Sequence, residues 1–304
     1  MRRDETRVVV IGFDGLRQDL VTPELTPNIC ALQRDGVTFV NQRAVYPSET
    51  RVIFTSLVSG LPPSGHGIVG NKYLDRASTP ARYCDTADAA LLESLDAESS
   101  GGLVTAPTLG QLLAMAGRSA AVLSTDSGGA TRILHHRVRR TDHVCVSGHD
   151  ENVTHPAELA RELIARFGAL PPSGHPDLDG QVYLTRVFLE HIWPKHKPDL
   201  TMLWYSEPDL SSHFSGTGAA QTLDAIALVD AQFGRILDWW HSEGRDDGVQ
   251  LLVLSDHGHI TGHTRVSVAS TLEQAGITVD TASAQNSAAL VIPGQAGAIY
   301  LRDN

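Results

Sequence analysis

Arg7-Val8-Val9-Val10-Ile11-Gly12-Phe13, followed at once by Asp14-Gly15, is the stretch from which the fold can be read. The run is β-branched and almost continuously apolar, the pattern of a parallel strand covered on both faces. Outward from it, similar apolar runs recur at 120–124, 200–205, 249–255, 288–292 and 298–301. Helical periodicity fills 108–117, 156–168, 180–193 and 218–241. A further helix opens at Thr26-Pro27, where proline suits the first helical position, and stops at Gly36. Strands alternating with helices predict an α/β fold, with a mostly parallel central sheet and helices on both faces. In the last helix Ile226, Val229, Phe233, Leu237 and Trp240 share one face, a stripe for core packing.

The 304 residues suit one large domain or two, and the net charge is −11 from 24 basic and 35 acidic side chains. That balance argues against a nucleic-acid polymer or an anionic membrane as partner, since both demand a basic footprint. Three cysteines, odd in number and far apart, form neither a disulfide framework nor a zinc knuckle. No run reaches the ~20 apolar residues of a membrane span, and no export signal is legible, so a cytoplasmic setting is expected. The region 128–180, rich in Gly, Pro, His and charge, reads as a cap-like insertion. Its basic run, His135 to Arg140, reads as a solvated face with some prospect of touching an anionic substrate. Oligomeric state is not legible.

Four segments carry residues suited to chemistry, three of them just beyond an apolar strand, where sites form in open α/β sheets. Asp14 follows the first strand, either as a ligand or as a turn residue. Asp209 and His213 lie four apart after 200–205, a spacing that lets one helical turn bring both to one metal, or simply caps a helix. Asp256-His257 ends the 249–255 strand, and an Asp/His pair suits a borderline metal such as zinc. The fourth segment runs from Tyr46-Pro47-Ser48-Glu49-Thr50-Arg51 to His66-Gly67-Ile68-Val69-Gly70-Asn71. Thr50 there opens a helix, where the backbone N–H groups and the dipole favour an anion, although many such threonines are only caps.

Taken together and in order, these segments resemble the alkaline phosphatase superfamily, most closely its nucleotide pyrophosphatase/phosphodiesterase family. The resemblance spans about 7–71 and 199–260, and is carried by Asp14-Gly15, Thr26-Pro27-Asn28, Pro47 with Thr50, His66-Gly67 with Asn71, Glu207-Pro208-Asp209 with His213, and Ser255-Asp256-His257-Gly258. It implies an alkaline phosphatase-like fold with residues 1–304 as one metal-dependent phosphoesterase catalytic domain. It also implies two divalent metal ions, expected to be zinc. Asp14, Asp256 and His257 match the ligands of one ion, with Thr50 the nucleophile on it. Asp209 and His213 match two ligands of the other, and Asn71 matches the amide holding a phosphoryl oxygen.

The implied reaction is hydrolysis of a small-molecule phosphate ester by a phosphodiesterase or nucleotide pyrophosphatase-like enzyme through a phosphothreonine. The alternatives are a phosphomonoesterase or phosphonate hydrolase on the same scaffold, or a catalytically incomplete fragment that binds phosphate or nucleotide. Two departures from the family pattern matter. Arg51-Val52-Ile53 stands where Phe-Pro-Asn is usual, so a stacking ring is missing and Arg51 could meet a phosphate oxygen or point to solvent. The family's third histidine of the second site lies well downstream, whereas after His257 only His259 and His263 follow. A catalytic domain truncated at its C-terminus is expected, with substitution by His259 or His263, or a defective second site, as the other outcomes.

Overall fold

A computed structural model describes residues 6–76, 81–98, 102–264, 266–280, 287–294 and 297–301. The strands are β1 Arg7–Phe13, β2 Lys72–Asp75, β3 Arg82–Asp85, β4 Ala120–Ser124, β5 Val144–Ser147, β6 Leu200–Tyr205, β7 Val249–Leu254, β8 Val279–Asp280, β9 Ala289–Ile292 and β10 Ala298–Leu301. Five of them form a central sheet in the order β5-β4-β6-β1-β7, and every pairing in it is parallel. A three-stranded sheet, β10-β9-β8, and the β2-β3 hairpin stand apart from it.

Alternation along the strands divides the core into two layers. Val9, Ile11 and Phe13 of β1, with Ala121, Leu123, Leu203 and Tyr205, meet the helices Ala157–Phe167, Leu178–Val187 and Ala220–Trp239. Val10, Val122, Met202 and Trp204 face the other way, onto the helices Thr50–Ser59, Ala89–Glu98 and Gly128–Leu134. Both faces of the sheet are therefore covered, which is why β1 reads as an unbroken apolar run. The stripe on Ala220–Trp239 packs as expected, with Ile226, Val229, Phe233 and Leu237 buried.

Gly12 is where two strands come closest. It pairs in register with Trp204, whose indole lies over it, and a Cβ there would stand 2.1 Å from a ring carbon. The same indole packs edge-on against Phe54, centroids 4.4 Å apart, and so ties the Thr50–Ser59 helix to the sheet.

Two expectations change. The 128–180 region is not laid on the sheet as a cap: β5 is the sheet's outermost strand, and Leu159 and Leu163 sit in the main core. Nor is His135 to Arg140 a wholly solvated face. His135 and His136 are buried, the two rings of His135 and His143 share a 2.8 Å hydrogen bond, and Arg137 and Arg140 pair with Asp96. Paired in this way, the arginines are committed to the fold. Thr26 stands at the helix start as read, but its hydroxyl donates to the Thr22 carbonyl and does not cap the helix.

Candidate metal and phosphoryl site

The carboxyl ends of β1, β6 and β7 lie side by side because β1 is paired to β6 on one edge and β7 on the other. Asp14 follows β1, Asp209 begins the helix Asp209–Ser215 beyond β6, and Asp256-His257 follows β7. Backbone bonds fix their spacing: Asp14 N–H donates to the Tyr205 carbonyl at 2.9 Å, and Asp209 N–H to the Asp14 carbonyl at 3.0 Å. Gly15 makes that approach possible. Its φ is +67°, and a Cβ would stand 2.8 Å from the Asp209 Cβ.

Asp14, Asp256 and His257 form one cluster of donor atoms lying within 4.8 Å of one another. His257 Nδ1 is 3.0 Å from the Gly258 carbonyl, which can only accept, so Nδ1 carries the proton and Nε2 offers a lone pair. Nε2 lies 3.6 Å from Asp14 Oδ1, 3.5 Å from Asp256 Oδ2 and 3.2 Å from Thr50 Oγ1. Both of those carboxylate oxygens are buried without a hydrogen-bond partner. Buried acceptors facing one another in this way are costly unless a cation lies between them. Burial, then the charges of Asp256 and Asp209, push the Asp14 carboxyl well up, and burial pushes Asp256 up to about 6. Donor type, burial and the orphaned oxygens all fit a divalent metal ion.

Asp209, His213 and His259 form the second cluster. The i,i+4 spacing on Asp209–Ser215 brings His213 Nε2 to 3.2 Å from Asp209 Oδ2, and His259 Nδ1 reaches Oδ1 at 3.1 Å. Burial would raise the Asp209 carboxyl, but hydrogen bonds from His213 and His259 hold it below the usual range. The same contact with Asp209 raises His213. His263 is exposed and absent from the cluster, so of the two candidate substitutes the fold brings only His259 to this position. Its backbone is held there by Arg17, whose guanidinium donates to the His259 carbonyl at 3.2 Å, and by Thr261, whose Oγ1 accepts from Thr217 N–H at 2.9 Å.

Thr50 begins its helix with its side chain toward the first cluster, and a reciprocal tie holds it beside Asn71. The Glu49 carboxylate accepts the Asn71 N–H, while Asn71 Oδ1 accepts the Arg51 N–H at 3.0 Å. With Oδ1 engaged, the NH2 of Asn71 is the group left to meet a ligand. Thr50, Arg51, Asn71, Lys72, His213 and His257 line one cavity of about 220 Å³, closed on another side by Ile292-Pro293-Gly294. Every residue expected at the site is therefore gathered here except His263. Glu49, Lys72, Trp204 (Nε1 to Asp14 Oδ2 at 3.4 Å) and Ile292–Gly294 were not legible beforehand, because nothing local marks them.

Residues 8–304 match the family described as type I phosphodiesterase / nucleotide pyrophosphatase. The chain belongs to that family. Among its relatives, rat ectonucleotide pyrophosphatase/phosphodiesterase family member 3 is 23% identical over 257 residues, covering 84% of this chain and 25% of the relative. The venom phosphodiesterase of Macrovipera lebetinus is 22% identical over 267 residues, covering 84% and 26%. This family member thus spans about a quarter of the length of those curated relatives.

Solved structures agree on the alkaline phosphatase-like fold. Phosphonoacetate hydrolase from Sinorhizobium meliloti, in complex with phosphonoacetate, superposes with a TM-score of 0.69 at 17% identity, covering 98% of this chain and 70% of that one. Murine ectonucleotide pyrophosphatase/phosphodiesterase 5, in complex with AMP, gives 0.61 at 19%, covering 98% and 67%. No helix among the described residues is long and apolar enough to cross a membrane.

Proposed function

We propose that the chain hydrolyses small phosphoric esters as a phosphodiesterase or nucleotide pyrophosphatase-type enzyme, with Thr50 as nucleophile. The observation that carries this reading is the position of Thr50 Oγ1, 3.2 Å from His257 Nε2 and beside two orphaned carboxylate oxygens. Asp14, Asp256 and His257 would hold one divalent ion, and Asp209, His213 and His259 a second. Zinc suits both donor sets. Such ions supply Lewis-acid charge that acidifies the threonine hydroxyl and offsets the negative charge of the phosphoryl group.

The chain's own groups do the rest. Thr50 Oγ1 attacks phosphorus as the bond to the leaving oxygen breaks, giving a phosphothreonine that retains the substrate's second ester group and a released alcohol that takes up the threonine proton. Water then cleaves the phosphothreonine, restoring the hydroxyl and releasing the phosphorylated product. Asn71 donates its NH2 to a non-bridging oxygen, where charge builds up, a contact worth ~3 kcal/mol in other hydrolases. The helix opening at Thr50 presents backbone N–H groups to the same charge.

The test is acid quenching of zinc-loaded protein during turnover of an aryl phosphodiester. A phosphothreonine at residue 50 is expected, together with a loss of about 10³-fold or more in kcat for Thr50→Ala. Full activity in Thr50→Ala would exclude the nucleophile.

A further inference from the structure

The cavity beside Thr50 holds two cations that neither metal cluster uses. Arg51, on the first turn of the helix, is tethered along its length. Its N–H donates to Asn71 Oδ1 at 3.0 Å and its Nε to Thr86 Oγ1 at 2.9 Å, and Thr86 Oγ1 donates to the Asn71 carbonyl at 2.7 Å. The two terminal nitrogens of Arg51 make no hydrogen bond among the described residues. Lys72, next to Asn71, lines the same cavity, with Nζ 3.2 Å from Asp85.

The remainder of the cavity says what these cations do not serve. No Phe, Tyr or Trp lines it among the described residues, so it offers no indole, phenyl or phenol face on which a base could stack. Its volume of about 220 Å³ lies below the ~300–1,000 Å³ of sites for drug-sized ligands. The wall formed by Ile292-Pro293-Gly294 bears no charged side chain, and the carboxylate that lines the cavity, Glu49, is engaged by the Asn71 N–H. A planar guanidinium fork with free terminal nitrogens suits a carboxylate or phosphate, and an ammonium adds a second point of charge.

We propose that Arg51 and Lys72 select substrates carrying a second anionic group, a carboxylate or phosphate, close to the transferred phosphoryl group, and that Thr86 positions Arg51 to receive it. The inference rests on the hydrolase reading and narrows its substrate class from phosphate esters at large to small, multiply anionic ones. Arg51 and Lys72 are specificity determinants; Thr86 acts through Arg51.

Two p-nitrophenyl phosphodiesters test it, one with a methyl arm and one with a carboxymethyl arm, so that leaving group and phosphorus charge are shared. Zinc-loaded protein should favour the carboxymethyl ester by about tenfold or more in kcat/KM. Arg51→Met and Lys72→Met should each lower that preference. Thr86→Val should lower it through KM with metal content unchanged, and Thr86→Ser should restore it. Equal use of both esters by the wild type, or a preference that survives Arg51→Met, overturns the proposal. Calorimetry of methylphosphonate and carboxymethylphosphonate binding to zinc-loaded Thr50→Ala separates this failure from failure of the hydrolase reading. If neither ester is cleaved while the carboxylate still tightens binding in an Arg51-dependent way, only the hydrolase reading falls. If the carboxylate adds nothing, the substrate class is wrong.

Discussion

The imidazoles of His213 and His259 stand at 90° with centroids 4.5 Å apart, and each engages a different oxygen of the Asp209 carboxylate. One side chain comes from the helix after β6 and the other from the loop after β7, so their meeting depends on β1 holding those two strands one position to either side. A two-ligand site would hold zinc poorly; a third ligand makes the site viable.

His259→Ala should therefore reduce metal content after dialysis against trace zinc from two ions per chain to one. Loss of a direct ligand should exceed the ~10–100-fold affinity cost of removing an outer partner. His263→Ala should leave two ions. Retention of both ions by His259→Ala would remove the histidine from the second site.

Gly15 and Gly12 should respond differently to alanine. At Gly15 the positive φ and the nearness of Asp209 mean that a methyl group displaces the carboxylate proposed to hold the second ion. Gly15→Ala is expected to lose the second ion and most activity while retaining circular-dichroism helix content. At Gly12 the methyl meets the Trp204 ring in the core, and overpacking of this kind costs roughly 1–3 kcal/mol or more. Gly12→Ala should show that loss as a lower denaturation midpoint. Unchanged stability in Gly12→Ala would mean the indole can move aside.

Acid should destabilise the fold through histidines remote from the metal clusters. Burial holds His66 down to about 4, His135 to about 3 and His136 to about 4. His66 Nδ1 accepts the Ile68 N–H at 3.2 Å, so a proton there breaks a structural bond. In each case the unfolded chain binds the proton more readily, so the stability contribution is complete above about pH 6.5 and falls as pH drops toward 4. The ceiling on each contribution is about 3 kcal/mol for His66 and His136 and about 5 kcal/mol for His135. Urea titrations of metal-free protein at pH 7, 6 and 5 should show a progressive loss, reduced in His66→Gln. A flat profile would mean these rings are solvated.

Local pattern carried much of this protein. β1 and the helix stripe of Ala220–Trp239 are apolar because they are covered, and coverage writes itself into adjacent residues. Asp14 and Asp256-His257 were legible for a related reason, since they follow strands whose own residues announce their ends, and Thr50 stood out at the opening of a helix, whereas Asn71 was singled out only by the family resemblance. The i,i+4 pairing of Asp209 with His213 is likewise set by helix geometry alone.

What lay beyond the reach of sequence was every contact made between distant segments. His259 and His263 are equivalent by composition and spacing, and only the path of the loop after β7, held by Arg17 and Thr217, brings the first to Asp209 and leaves the second in solvent. Arg51 could be judged neither a phosphate contact nor a solvated side chain until Thr86 was found beneath it. His135 and His136 look polar enough for a surface, yet both are buried, His135 with its ring against Gly110 and His136 beside Asp96. Secondary structure follows from short-range periodicity. Which ligand completes a metal cluster depends on distances of a few ångströms between chain segments tens of residues apart, and those are set by strand order and packing.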